Sequence, residues 1–267
     1  MARPSETELM DTARALLHTQ ETMAPMWRLA NLVTLVIDAG DARGKLQRSL
    51  ASFRTKVVSG PGRIADRFYR SLSRGSEGTT ILTYSYSSTV VKALLGSRDR
   101  VRFVQCSEAR PGFEGRKVAE LLADAGVQIH FFTDAGLLSA KQMPYLVVVG
   151  ADRVLGNGFI NKIGTEVLVE QARKLGRQVV VLADSTKFWP SKLTPVGSSF
   201  WNLTRGPDTE IWAEPHKWVQ AMNYYFSFTR FNNRLRILTE AGWLTPRQVR
   251  EKMLKIRISP RLKELIG

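Results

Sequence analysis

The segment YLVVVGADRVLGNGFINKIGT, residues 145–165, sets the fold of the whole chain. Tyr145 to Val149 is a short β-branched run, long enough for one buried strand and too short for a helix of ordinary length. A glycine-rich polar stretch follows, and from Thr165 to Leu175 the apolar spacing becomes helical, with a stop at Gly176. The same strand, polar turn and helix unit recurs upstream. Thr79 to Thr83, Val101 to Cys106, Val127 to Phe132 and Gln178 to Leu182 are further strand-like runs, while Ser88 to Leu95 and Phe113 to Ala125 carry helical periodicity ending at Gly96 and Gly126. This alternation predicts a parallel sheet with crossover helices, hence an α/β class.

Before Gly78 the pattern differs. Leu9, Ala13, Leu16 and Leu17 recur at three- and four-residue spacing, and Met26 to Ile37 repeats it, predicting an N-terminal helical domain over 1–77 and an α/β domain over 78–267. Pro25 suits the start of a helix, Ser59-Gly60-Pro61-Gly62 predicts a break before a last helix near Arg63, and Arg74 to Gly78 reads as a linker. Beyond the sheet, Thr209 to Ala213 predicts a strand. The stretch from Pro215, including 214–238, reads as helical, with Trp218, Met222, Tyr225 and Phe226 on one stripe that faces the core or an oligomer interface.

Composition narrows the classes. Hydrophobic residues make up 43% and charged residues 24% of the 267, values of an ordinary folded domain. The apolar stretch Leu29 to Ile37 is too short to span a bilayer, and Glu6, Glu8 and Asp11 stand where a secretory leader would be basic or apolar, so a cytoplasmic protein without a membrane partner is expected. The single cysteine, Cys106, allows neither an internal disulfide nor a multi-thiolate metal site, and no metal or cofactor is expected.

The net charge of +15 calls for anionic partners. Asp41 to Arg74 holds nine Lys/Arg against two acids, and Phe228 to Gly267 holds ten against three. Nucleic acid is possible on charge alone, but no zinc finger, helix-turn-helix or aromatic RNA-binding motif accompanies it, and a solvated basic face is the simpler account.

In open parallel sheets, ligands bind beyond the carboxyl ends of the strands. The first run ends in Thr83-Tyr84-Ser85-Tyr86-Ser87-Ser88 and enters a helix, whose N–H groups and hydroxyls suit an anion, although Ser87 or Ser88 would also serve as a plain cap. The second ends in Glu108-Ala109-Arg110-Pro111, followed by Gly112 to Lys117, where Arg110 and Arg116 could present guanidinium forks to phosphate, or Arg110 could simply pair with Glu108. The fourth supplies Asp152 as an acid or base and Asn161 and Lys162 as donors; the alternative is a turn cap at Asp152 and a solvated lysine. The fifth ends in Asp184-Ser185-Thr186-Lys187. The glycine spacing fits neither a triphosphate loop nor a dinucleotide fingerprint. Hydroxyls, Lys and Arg converging around one carboxylate fit a small phosphorylated ligand.

On these residues the chain resembles the family that joins the regulatory subunits of translation initiation factor 2B to methylthioribose-1-phosphate isomerase and ribose-1,5-bisphosphate isomerase. The matching segments are Ile81 to Ser87, Glu108 to Pro111, Gly150 to Arg153, Asn157-Gly158, Asn161 to Thr165 and Lys187-Phe188, in order, with Leu238 to Pro246 similar to the family's carboxyl-terminal segment. The resemblance implies a Rossmann-like sheet of the ribose-phosphate isomerase and CoA-transferase type behind a helical N-terminal domain, in homodimers or larger homo-oligomers. It also implies a catalytic pair, a cysteine after the first strand and the aspartate of Gly-Ala-Asp. Asp152 matches the aspartate, whereas Ser85 stands at the cysteine position. A hydroxyl is a far weaker acid than a thiol, and His18, His130 and His216 are not placed to activate it. Binding of a sugar phosphate or nucleotide through Ser85, Ser87, Ser88, Arg110, Arg116, Asn161, Lys162 and Lys187 is therefore the leading expectation. The alternatives are an aldose-ketose isomerase using Asp152 with Ser85, and a basic interaction module for RNA or an acidic protein.

Overall fold

The computed structural model describes residues 5–19, 21–40, 42–73, 77–139, 143–193 and 204–266. Three helices open the chain: α1 (Glu6–Thr19), α2 (Ala24–Asp38) and α3 (Ala42–Ser71). Leu9, Ala13 and Leu17 of α1 meet Trp27, Ala30 and Val33 of α2 in an apolar cluster that also takes in Ile160, Trp189 and Leu262 from far along the chain. Trp27 and Trp189 meet edge to face, ring centroids 5.5 Å apart.

The α/β part alternates β1 (Thr79–Thr83), α4 (Ser88–Leu95), β2 (Val101–Ser107), α5 (Glu114–Asp124), β3 (Gln128–Phe132), α6 (Asp134–Ser139) and β4 (Leu146–Val149). It continues through β5 (Arg153–Val154), β6 (Gly158–Lys162), α7 (Thr165–Lys174) and β7 (Gln178–Leu182), then β8 (Phe226–Arg230), β9 (Leu235–Thr239), β10 (Gly242–Leu244), α8 (Pro246–Leu254) and α9 (Pro260–Ile266). The main sheet has the order β10-β9-β7-β4-β1-β2-β3, parallel except for β10. Alternate residues feed two cores. Val147, Val149, Val179 and Val181 join Leu168, Ala172 and Val249 on one face, whereas Val148, Val180 and Leu182 join Ile64, Phe68, Val90 and Leu122 on the other. The chain reverses its winding between β1 and β4, and a crevice opens at such a switch point. The small antiparallel sheet β5-β6-β8 stands immediately after β4.

Several expectations are corrected. The predicted break at Ser59 to Gly62 does not occur: α3 runs through it with Pro61 inside. The glycines serve close packing instead, for a Cβ on Gly60 would sit 3.1 Å from Cβ of Asp184 and one on Gly62 3.6 Å from Nζ of Lys92. The stretch 214–238 is not helical. It is irregular up to Tyr225 and then forms β8 and part of β9, because Phe226 to Arg230 pairs with β6 in the register Lys162↔Phe226 and Leu235 to Thr239 lies beside β7. Trp218, Met222, Tyr225 and Phe226 therefore share no helical stripe: Trp218 and Met222 are exposed, and Tyr225 and Phe226 are half-buried. Thr209 to Ala213 is not a strand either; a single 3-10 turn covers Asp208–Glu210. Residues 74–76 of the expected linker lie outside the described residues.

Candidate functional site

The strand ends are joined to one another by side chains of the predicted rim. After β1, Tyr84 is buried and its hydroxyl donates to the carbonyl of Ile163 at 2.8 Å, tying this turn to the Asn161 to Thr165 loop. A side chain at Gly164 would put its Cβ 2.6 Å from that hydroxyl. Ser85, half-buried, holds a left-handed backbone with φ of 61°, unusual for serine and typical of strained functional turns. Ser87 caps α4 by accepting from the Val90 N–H, and it lies so close to Gly150 that a Cβ there would come within 2.6 Å of its hydroxyl oxygen. Ser88 is the exposed first residue of α4.

After β4, Asp152 occupies the centre of the charged groups. Burial pushes its carboxyl above the ordinary carboxylate range; Lys187, Lys162 and Arg153 oppose that rise and Glu114 adds to it. Lys162 is almost wholly buried and its Nζ donates to Oε1 of Glu114 at 2.7 Å. Lys187 donates to the carbonyl of Ala151 at 2.6 Å. These two bonds link the ends of β6 and β7 to those of α5 and β4. Asn161 donates to Oγ1 of Thr165, which in turn donates to the Lys162 carbonyl, so the Asn-Lys-Ile-Gly-Thr turn closes on itself.

Arg110 and Arg116 occupy the outer edge. Both are exposed and stack on Phe113, at 4.8 Å and 4.0 Å from its ring centroid; Arg110 also donates to the Glu210 carbonyl and Arg116 lies 3.9 Å from Glu108. The structure thus gathers Asp152, Lys162 and Lys187 at the centre and leaves Arg110, Arg116 and Ser88 at the mouth. Cys106, inside β2, is buried and its thiol is pushed up to about 12, in keeping with a core residue.

Four residues of the site were not singled out by sequence reasoning. Glu114 completes the Lys162 pair. Asp134 accepts from the Ser107 hydroxyl and from the N–H groups of Ala109 and Arg110, all within 2.8 Å, and so shapes the turn that carries Arg110. Arg153 is buried against the Trp27 ring at 4.5 Å and donates to the Glu21 carbonyl, locking the Asp152 turn onto the N-terminal helices. Tyr225 lies 5.3 Å from Lys162 Nζ and donates to Glu210. Only Glu114 and Arg153 left a trace in the sequence, as neighbours of the quoted motifs.

A parallel sheet with a helical N-terminal segment, and Lys162, Lys187, Asp152 and Glu114 gathered beyond the strand ends at the switch point, define a Rossmann-like α/β protein. Within that class the chain belongs to the initiation factor 2 subunit family, whose model matches residues 2–246. It is 28% identical to ribose 1,5-bisphosphate isomerase of Methanocaldococcus jannaschii over 178 residues, 65% of this chain and 57% of that protein, so the matched part spans little more than half of that relative. It is 25% identical to a putative translation initiation factor eIF-2B subunit 2-like protein of Pyrococcus horikoshii, over 90% of this chain and 82% of the relative. Among solved structures, translation initiation factor eIF-2B of Pyrococcus horikoshii OT3 superposes with a TM-score of 0.73 at 22% identity, covering 91% of this chain and 85% of that one. The 5-methylthioribose 1-phosphate isomerase of the same organism gives 0.63 at 17% identity, covering 93% and 88%. These superpositions establish the Rossmann-like fold with its N-terminal helices.

Proposed function

We propose that this protein binds a phosphorylated sugar in the crevice between β1 and β4. The observation that carries the proposal is the grouping of Lys162 and Lys187 around Asp152 at the switch point, each lysine fixed by a bond shorter than 3 Å. Two held ammonium groups favour a phosphate, and a carboxyl beside them suits a sugar hydroxyl or ring oxygen. The relatives named as sugar-phosphate isomerases support this ligand class. Thermal unfolding against ribose phosphates and nucleoside monophosphates tests it. Stabilisation by a ribose phosphate that disappears in Lys162→Met is expected; no shift across the panel would sink the proposal.

The second reading is aldose-ketose isomerisation, favoured by the Asp152 carboxyl, whose hold on its proton burial strengthens. Such a group can protonate the ring oxygen to open the sugar and then, as carboxylate, assist hydrogen transfer from C2 to C1. Ser85 would stand where the family's cysteine does, without its acidity. NMR of ribose 1,5-bisphosphate or methylthioribose 1-phosphate incubated with the protein should reveal a ketose, lost in Asp152→Asn; two inert substrates would leave binding as the function.

The same proposal extends to self-association. One solved relative is described as a tetrameric eIF2B-β2-δ2 complex from C. thermophilum. In this chain Ile211, Trp212, Trp218, Val219 and Met222 are all exposed on the segment beside the crevice, and Trp218 is 83% exposed. A second copy of the chain is the occupant of this face.

A further inference from the structure

Away from the crevice, α2, α3 and the segment ending α8 enclose a cleft of about 650 Å³, which adjoins a smaller cavity of about 240 Å³. Six cations line the larger space: Arg28, Arg48, Lys56, Lys252, Lys255 and Arg257. No carboxylate lines either space among the described residues. Acids that flank lining residues in sequence are engaged elsewhere: Asp38 by Arg261 at 3.2 Å, Asp184 by the Thr186 N–H at 2.9 Å, Glu240 by the Ser185 N–H at 3.0 Å and Glu251 by Arg247 at 3.1 Å. Arg28 is shared by both cavities, is half-buried, and makes no hydrogen bond or ion pair with any described residue. Burial lowers the pKa of its guanidinium, the mark of a charge held without compensation.

A merely solvated basic face would splay its side chains into water rather than hold an arginine half-buried between two cavities. The walls are also fixed in place. Asn31, buried in α2, donates to the Arg257 carbonyl and accepts from the Ser259 N–H, both at 2.9 Å, so the carboxyl-terminal wall is pinned to the helix that carries Arg28. Phe53 and Ile256 give the cleft an apolar lining between the charges.

We propose that this cleft is a second ligand site, for a small molecule carrying two or more phosphate groups. Two features set the size of the ligand. The volume lies in the range of small-molecule sites, and three segments of one chain border it as an open cleft. Arg48 and Lys56, eight residues apart on one helix, start about 12 Å apart along its axis, so the cations are spread along the cleft in a way that suits several phosphates in a row. None of the residues at the strand-end rim lines this cleft. The site would place a polyanion against Ser185, two residues from Lys187, so occupancy of one site can be felt at the other.

Calorimetric titration of the full chain with inorganic tripolyphosphate and with orthophosphate tests the proposal. One tripolyphosphate per chain is expected, at least tenfold tighter than orthophosphate. Binding should weaken at least tenfold in Arg28→Gln/Lys255→Gln and remain unchanged in Lys162→Met/Lys187→Met. Because Arg28 is half-buried, Lys252→Gln/Lys255→Gln, two exposed positions, serves as the variant that keeps its fold; it too should weaken binding. Absence of binding, loss only in the crevice variant, or insensitivity to all three would overturn the proposal. A single-stranded RNA that binds through the same lysines more tightly than tripolyphosphate would overturn it as well, in favour of a nucleic-acid surface.

Discussion

At the scale of single residues, Asp152 shows how burial outweighs attraction. Three cations surround it, yet the net effect on its carboxyl is a rise, so the cost of removing the charged form from water is larger than what Lys187, Lys162 and Arg153 return. A carboxyl whose folded value is raised binds its proton more tightly in the native state than in the unfolded one. Its ionised form therefore destabilises the fold, and that penalty appears as pH climbs from the unfolded value through the folded one. Asp152→Asn should accordingly raise the melting temperature at pH 7 to 8, with the gain shrinking as pH falls toward the ordinary carboxylate range near ~4. Denaturation of both proteins between pH 4 and 8 checks this; a gain that persists undiminished at low pH, or a loss at pH 8, contradicts it.

At the scale of elements, α3 makes the case that glycine and proline do not always end a helix. Gly60 faces Asp184, whose carboxylate is already held by the Thr186 N–H at 2.9 Å and cannot withdraw, whereas Gly62 faces only the flexible end of Lys92. Gly62→Ala should therefore stabilise the protein by up to about 1 kcal/mol, the ordinary helix gain. Gly60→Ala should cost about 1 to 3 kcal/mol through overpacking. Urea unfolding of the two variants measures both, and equal effects would refute the packing account. This helix also marks where sequence stops being legible. Five of the six parallel strands followed from short apolar runs, most plainly β4 and β7, because a strand buried on both faces has no polar alternation to confuse the pattern, while β9 went unread. Of the residues named after those strands, the topology brings Asp152, Lys162 and Lys187 near one another and leaves Arg110, Arg116 and Ser88 exposed. What stayed hidden depends on contacts between distant segments: the close approach at Gly60, the pairing of β8 with β6 that overrides an apparent helical stripe, and Asp134, which serves the turn after β2 from the start of α6.

At the scale of the whole molecule, the irregular segment between the 3-10 turn at Asp208–Glu210 and β8 keeps its inner end and exposes the rest. Asn223 is buried and donates to the Pro207 carbonyl at 2.7 Å, and Tyr225 donates to Glu210, so the base of the segment is fastened beside the crevice. Trp212 and Trp218, in contrast, are 53% and 83% exposed. Two indoles exposed on a fastened base are apolar area open to a partner, and aromatic side chains supply much of the energy of protein interfaces. Net charge opposes self-association at low salt, since a chain of +15 repels its copy, so the apolar contact should strengthen as salt screens that repulsion. The expected result in sedimentation velocity is a dimer or larger assembly whose population rises from 50 to 300 mM salt, and a shift to the single-chain mass in Trp212→Asp/Trp218→Asp. Because both side chains project from the fold, the double variant should retain its melting temperature, which separates a lost interface from a lost structure. A wild-type chain that sediments as a monomer at both salts, or a variant that remains assembled, would remove this face from consideration as the contact between copies.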